Sequence, residues 1–280
     1  TGQIQRRVSN GLSGSLSYTY NRAENVNNGT SSRAISNWQF NENVDVNGPD
    51  IGTADFERRH RVLLNLDYRL EYLDRFATSI GLIYEGRSGS PFSWIYAGDA
   101  NADGQRFNDL VYVPENERDV VLRSDNWELM DSFIESEDGL DEFRGEFADR
   151  NSARDPWENI LDLRINQEIA TFQGQRVEFT AVVENVLNLL NDDWGEIQFS
   201  RFNNNNAWEI VDESEAGGVY VQSADVGREV GGRLISADDI GKPFIDFDEE
   251  TVRDRLTGDF LNTANISSRW RLQLGVRYIF

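Results

Sequence analysis

The last twelve residues limit the possible folds more than any other stretch. From Arg269 to Phe280 the even positions read Trp270, Leu272, Leu274, Val276, Tyr278 and Phe280, and the odd ones Arg269, Arg271, Gln273, Gly275, Arg277 and Ile279. Successive side chains of a strand point to opposite faces, so this stretch makes a strand with one apolar and one polar face. Its length suits a tilted strand crossing a bilayer, which needs roughly 9–11 residues. Aromatic residues end the apolar face and aliphatic residues fill its middle. Two interfacial girdles around a hydrocarbon band impose that order.

Five earlier segments repeat the alternation. Leu12, Gly14, Leu16, Tyr18 and Tyr20 interleave with Ser13, Ser15, Ser17 and Thr19. Val62, Leu64, Leu66, Tyr68, Leu70 and Tyr72 interleave with Arg61, Asn65, Asp67, Arg69 and Glu71. Phe76, Thr78, Ile80, Leu82 and Tyr84 follow; then Leu161, Leu163, Ile165 and Ile169, opposed by Asp162, Arg164, Asn166 and Glu168; then Val177, Phe179, Ala181 and Val183, opposed by Glu178, Thr180 and Glu184. The connections at 72–75 and 170–176 are short, whereas those at 24–57, 87–156 and 191–268 are long. Short turns on one side and large loops on the other predict an all-β, antiparallel up-and-down transmembrane barrel with about six strands and long extracellular loops. Residues 1–10 are then a periplasmic turn or the end of a further strand.

Composition removes other classes. A net charge of −22 leaves no basic face for nucleic acid. There is no Cys and one His, so thiol chemistry and zinc hydrolysis have no ligand sets. No apolar run is long enough for a transmembrane helix, but the mean hydropathy of −0.57 does not speak against a barrel, where alternation cancels the average. Thr1-Gly2-Gln3 has neither the basic start nor the apolar core of a secretion signal, so the chain is expected to be processed or to continue a longer one. A soluble sandwich also alternates, but loops beyond about 12–15 residues are uncommon in compact domains, and inward charges would spoil its core. Arg61, Asp67, Arg69, Glu71, Asp162, Arg164, Glu168, Glu178 and Glu184 suit a hydrated lumen, where cross-strand pairing accounts for most of them.

The alternating C-terminus ending in Phe280, with Trp270, Leu272, Leu274, Val276 and Tyr278, resembles the assembly signal read by the outer-membrane barrel assembly machinery. Three further stretches resemble Oar-like TonB-dependent receptors. Gly98-Asp99-Ala100-Asn101-Ala102-Asp103-Gly104 with Asn108-Asp109-Leu110-Val111-Tyr112-Val113-Pro114 is similar to a loop of that family. Arg150-Asn151-Ser152-Ala153-Arg154-Asp155-Pro156-Trp157 is similar to its lead-in to the next strand, and Glu184-Asn185-Val186-Leu187-Asn188-Leu189-Leu190-Asn191 to the end of its penultimate strand. The resemblance implies a barrel of roughly 22 strands around a plug, of which six would be the final part. Residues 1–280 are accordingly expected to be the C-terminal segment of such a barrel, without plug, TonB box or N-terminal domain. It also implies the outer membrane as location, with lipid, the assembly machinery, TonB–ExbB–ExbD through the plug and an unidentified substrate as partners, and uptake without catalysis as function.

Candidate sites lie in the long connections. Asp99, Asn101 and Asp103 with Gly104 match the first half of an EF-hand-type loop, and Asp109 lies one residue before the position where such loops carry their last ligand. Two readings stand: calcium, the one cofactor considered, or an Asp/Asn/Gly turn in an exposed loop, the plainer of the two. Residues 115–149 carry thirteen acids against three Arg. Within them Asp125 followed by Glu128 can cap a helix with a Trp127, Met130, Phe133 and Ile134 stripe, packed on the loop itself or serving as a lid. The Asn203, Asn204, Asn205 and Asn206 run suggests a loop tip. His60, among Arg58, Arg59 and Arg61, reads as an interface or lumen residue. The competing function is a soluble or surface-attached β-rich binding module with an acidic, calcium-dependent face.

Overall fold

The computed structural model describes residues 1–7, 10–29, 31–101, 103–105, 108–123, 126–200, 206–210, 220–230, 233–247 and 261–280. Seven strands pair antiparallel in chain order: β1 (Gly2–Arg7), β2 (Leu12–Tyr20), β3 (His60–Tyr72), β4 (Phe76–Arg87), β5 (Glu158–Ala170), β6 (Arg176–Glu184) and β7 (Arg271–Ile279). Neighbours in sequence are neighbours in the sheet, which is the up-and-down order. The count corrects the expectation of six. Ile4 is the one aliphatic side chain in Gly2–Arg7, so alternation could not reveal this strand. Pairing with β2, from Gly2 opposite Tyr18 to Arg7 opposite Ser13, defines it. The sheet is open, with β1 and β7 as its edges and no described pairing between them.

The registers join the separate apolar rows into one face. Leu16 lies opposite Leu64, Leu64 opposite Tyr84, and Tyr84 opposite Leu161. One row further, Ile80 faces Ile165, Ile165 faces Ala181, and Ala181 faces Leu274. Tyr18, Tyr20, Tyr84 and Trp270 ring the loop end of this face, while Tyr72, Phe76 and Tyr278 ring the turn end. His60 belongs to the first ring: its Nδ1 lies 2.7 Å from the Tyr18 hydroxyl, and its ring packs on Tyr18 and Tyr20. Two polar residues interrupt the face and satisfy each other. The Thr78 and Tyr72 hydroxyls donate to Gln167 Oε1 at 2.6 and 3.0 Å, and Gln167 Nε2 donates to the Glu168 carbonyl at 2.9 Å. Lipid would leave such groups with no other partner.

The opposite face is polar and paired across strands. Arg61 meets Glu85 at 2.8 Å, Arg69 meets Glu168 at 2.6 Å, and Arg271 meets Glu184 at 2.7 Å. Cross-strand pairing thus occupies several of the charges assigned to the lumen. The sheet has almost no core: Ala77 is the only buried hydrophobic residue among the described residues of the seven strands.

The apolar core lies in the long connections. Trp94, Val111, Val113, Met130, Phe133, Ile134, Leu140, Ile245 and Phe247 are all wholly or almost wholly buried in one cluster. Short strands Ile95–Ala97, Asn206–Ile210, Phe244–Asp246 and Val121–Leu122 pair beside it, combining the second and third long loops. Helix α1 (Trp127–Ser136) turns Met130, Phe133 and Ile134 into that cluster. Its cap is Asn126, whose side chain accepts from the Leu129 N–H at 3.2 Å, one residue after the expected Asp125, which lies outside the described residues. The helix therefore packs on the loops, the first of its two readings.

Candidate functional site

The three long connections, 21–59, 88–157 and 185–270, meet above the loop end of the sheet, and the 150–157 stretch ties them together. Arg150 is buried, and among the described residues no carboxylate is in hydrogen-bond contact with it. It donates instead to the Val26 carbonyl at 2.8 Å, to the Asn41 and Asn25 side chains at 2.8 and 2.7 Å, and to the Asn25 carbonyl. Burial lowers its pKa, partly offset by Glu42 and Asp55. Asn151, held in the left-handed region at φ 60°, donates to the Thr53 carbonyl and to Asp55. Arg154 pairs with the fully buried Glu57. Burial would raise the Glu57 carboxyl, but the Ala23 N–H, Arg154 and Arg59 hold it below the usual range. Asp155 accepts the Ser200 N–H of the third connection at 2.8 Å, and burial raises its pKa. Gly89 leaves room for this stretch, because a Cβ there would lie 2.1 Å from the Asp155 carbonyl oxygen.

The 184–191 stretch anchors the third connection. Asn185, left-handed at φ 53°, donates from Nδ2 to the Gly195 and Ser268 carbonyls at 2.9 and 2.8 Å, while its backbone N–H donates to Asp162 at 2.8 Å. Asn188 Oδ1 accepts from the Trp270 N–H just before β7. These asparagines hold the stem of the loop against the last strand.

At the Asp99–Asp109 loop the four candidate residues divide. Both Asp99 oxygens accept backbone N–H groups, from Asp103 at 3.0 Å and Gly104 at 2.8 Å, and Asn101 Oδ1 also accepts from Asp103. These two side chains are therefore engaged in shaping the turn. Asp103 uses Oδ1 on the Gln105 N–H at 2.7 Å, and Asp109 uses Oδ2 on the Ala100 N–H at 2.5 Å and Asn101 N–H at 3.4 Å. The second oxygen of each is buried with no hydrogen-bond partner among the described residues, as is Asn43 Oδ1. Asn43 bridges alongside Asp109, which joins the first connection to this loop. Burial pushes the Asp109 carboxyl up to about 6, against its two N–H donors and reinforced by Asp103 and Asp99. Among the described residues no three carboxylate or imidazole groups stand together as a complete metal cage.

At the far end of the sheet the polar face forms a cleft of about 890 Å³ between the two short turns, lined by Arg69, Glu71, Glu168 and Arg176. It lies away from the loop cluster, and within it Arg69 pairs with Glu71 and Glu168. Asn203, Asn204 and Asn205 lie outside the described residues, and Asn206 begins a short strand instead of a loop tip. Trp270, Leu272, Leu274, Val276, Tyr278 and Phe280 share the exposed apolar face at the β7 edge. Arg150 and Asn151 were legible as a family-like motif, but no local spacing revealed their role in joining the loops.

Residues 2–194 match the family described as an outer membrane beta barrel domain. The chain belongs to that family. Neither a curated protein nor a solved structure matches it. The match spans β1 to β6 and the Asn185–Asn191 stem, so the alternating face described above is the lipid-facing surface of an outer-membrane barrel domain. This barrel domain resides in the outer membrane, and its family is not a catalytic one. Membership sets aside the soluble binding module.

Proposed function

We propose that this outer-membrane barrel domain is the C-terminal part of a TonB-dependent receptor, taking up a substrate captured at its loops. The observation that carries the reading is the open seven-stranded sheet, with an ion-paired polar face and a packed body of loops at one end. An open edge in lipid leaves a row of unpaired N–H and C=O groups, and in this reading further strands continue the sheet at β1 and β7. Seven strands fall below the eight or so of the smallest bacterial barrels. A larger barrel has a wide lumen, which a plug fills in receptors of this kind, and the charged face here would meet that plug. The 150–157 and 184–191 stretches resemble Oar-like receptors in sequence, and here their polar side chains join the loops. TonB, driven through ExbB and ExbD, would act on the plug and not on these residues.

The test uses the full-length protein purified from outer membranes and the periplasmic C-terminal domain of TonB. Association that disappears when the segment preceding the plug is deleted is the expected result. A folded barrel that does not associate with TonB would overturn the receptor reading.

A further inference from the structure

We propose that the Asp99–Asp109 loop binds one calcium ion through the buried, unpartnered oxygens of Asp103 and Asp109, with Asn43 contributing from the neighbouring connection. Asp109 is almost fully buried, with 2% of its surface exposed, yet Oδ1 has no hydrogen-bond partner among the described residues. The groups acting on its carboxylate are two backbone N–H groups on the other oxygen and two further carboxylates, Asp99 and Asp103. Among the described residues, such an arrangement gathers negative charge without a cation to balance it. Asp103 Oδ2 and Asn43 Oδ1 are buried and unpartnered as well. Three hard oxygens, two of them anionic, suit calcium, which accepts irregular sets of six to eight oxygens completed by carbonyls and water. Magnesium demands near-ideal octahedral geometry and suits a loop of this kind less well.

The turn prepares the site without supplying its free oxygens. Asp99 and Asn101 accept the Asp103 N–H, and Asp109 accepts the Ala100 and Asn101 N–H groups, so one short turn holds both Asp103 and Asp109. Asn43 is fixed by backbone bonds to Asn108 and Leu110 at 2.9 and 3.2 Å. An ion held here would link the first long connection to the second. The inference does not depend on coupling to TonB.

The experiment is calorimetric titration of calcium chloride into the full-length protein in detergent, after chelation and in excess magnesium. One saturable site is expected, with Kd on the order of 10⁻⁴–10⁻³ M, as in extracellular calcium modules. Asp109→Asn should weaken it by about tenfold or more, whereas Asp238→Asn, at an exposed acid elsewhere in the loops, should leave it unchanged. Because Asp109 is buried, Asp103→Asn at a half-buried position provides the second variant, with the same weakening expected. Calcium should also slow proteolysis within residues 95–110 of the parent protein. Absence of saturable binding, or binding unaltered by both variants, would overturn the proposal.

Discussion

In β7 the side chains of Leu274 and Val276 are 73% and 72% exposed, whereas Trp94 and Phe133 in the loops are 0% exposed. Both regions carry large apolar residues, and both belong to one chain. The loops bury theirs against each other, as a water-soluble domain does. The sheet directs its own outward on a continuous face ringed by Tyr and Trp, where the covering medium is hydrocarbon. Polar groups show the same division. Thr78 and Gln167, on the lipid side, satisfy each other, while Arg69 and Glu168 pair on the hydrated side. The comparison teaches that exposure in the sheet and burial in the loops have a common cause: each apolar surface faces the medium that accepts it.

The largest expected effect lies in the loop core. Phe133→Ala removes a ring that packs edge-on against Trp94 and beside Phe247, and should cost roughly 3–5 kcal/mol of local stability. Limited proteolysis should show faster cleavage between residues 88 and 157, while heat-modifiable migration of the barrel stays intact. Loss of the barrel band with the loops would erase the distinction between the two regions.

Next comes the lipid face. Ile165 lies in the middle row, between Ile80 and Ala181, so Ile165→Arg should cost about 2–4 kcal/mol in unfolding from lipid vesicles. Gln273→Arg, on the polar face of β7, should change the same measurement by only a few tenths of a kcal/mol. Equal costs at both sites would contradict the assignment of faces.

A smaller, pH-dependent effect belongs to the loops. Burial would raise Asp239, but Lys242, Ser236 and Arg233 hold its carboxyl down at about 2. Its folded pKa is depressed, so its contribution is complete above the ordinary Asp range near 4 and is lost as pH falls through about 2. That contribution is on the order of 1–2 kcal/mol, reduced because Arg233 and Lys242 are partly exposed. Hydrogen-exchange protection around residues 233–242, referred to the intrinsic rate at each pH, should fall over that window in the parent protein and lose most of that fall in Asp239→Asn. The smallest change should follow Glu168→Gln on the polar face, about 0–1 kcal/mol in vesicle unfolding, because water shares that pair.

Six of the seven strands were legible because period-two alternation is a local pattern carried by each strand alone. β1 lacks the pattern, and only its partner β2 defines it. The stripe of Met130, Phe133 and Ile134 was equally local and marked the helix, whereas Asn126 took the cap from Asp125's expected position through its bond to Leu129. The rest of the loop core was not legible. Val111, Val113, Ile245 and Phe247 come from distant short segments without a period, and tertiary packing alone brings them together. At the Asp99–Asp109 loop the spacing left two readings, a calcium loop or a plain Asp/Asn/Gly turn. It could not show that Asp99 and Asn101 would be engaged by backbone N–H groups, leaving Asp103 and Asp109 with the free oxygens.

The most direct test of the two-faced sheet is cysteine scanning of β7, made straightforward by the absence of cysteine from the sequence. Single substitutions from Arg271→Cys to Ile279→Cys in membrane-embedded protein are labelled with a membrane-impermeant maleimide. The account predicts labelling at 271, 273, 275 and 277, and protection at 272, 274 and 276. Uniform labelling, or protection in the opposite phase, would contradict it.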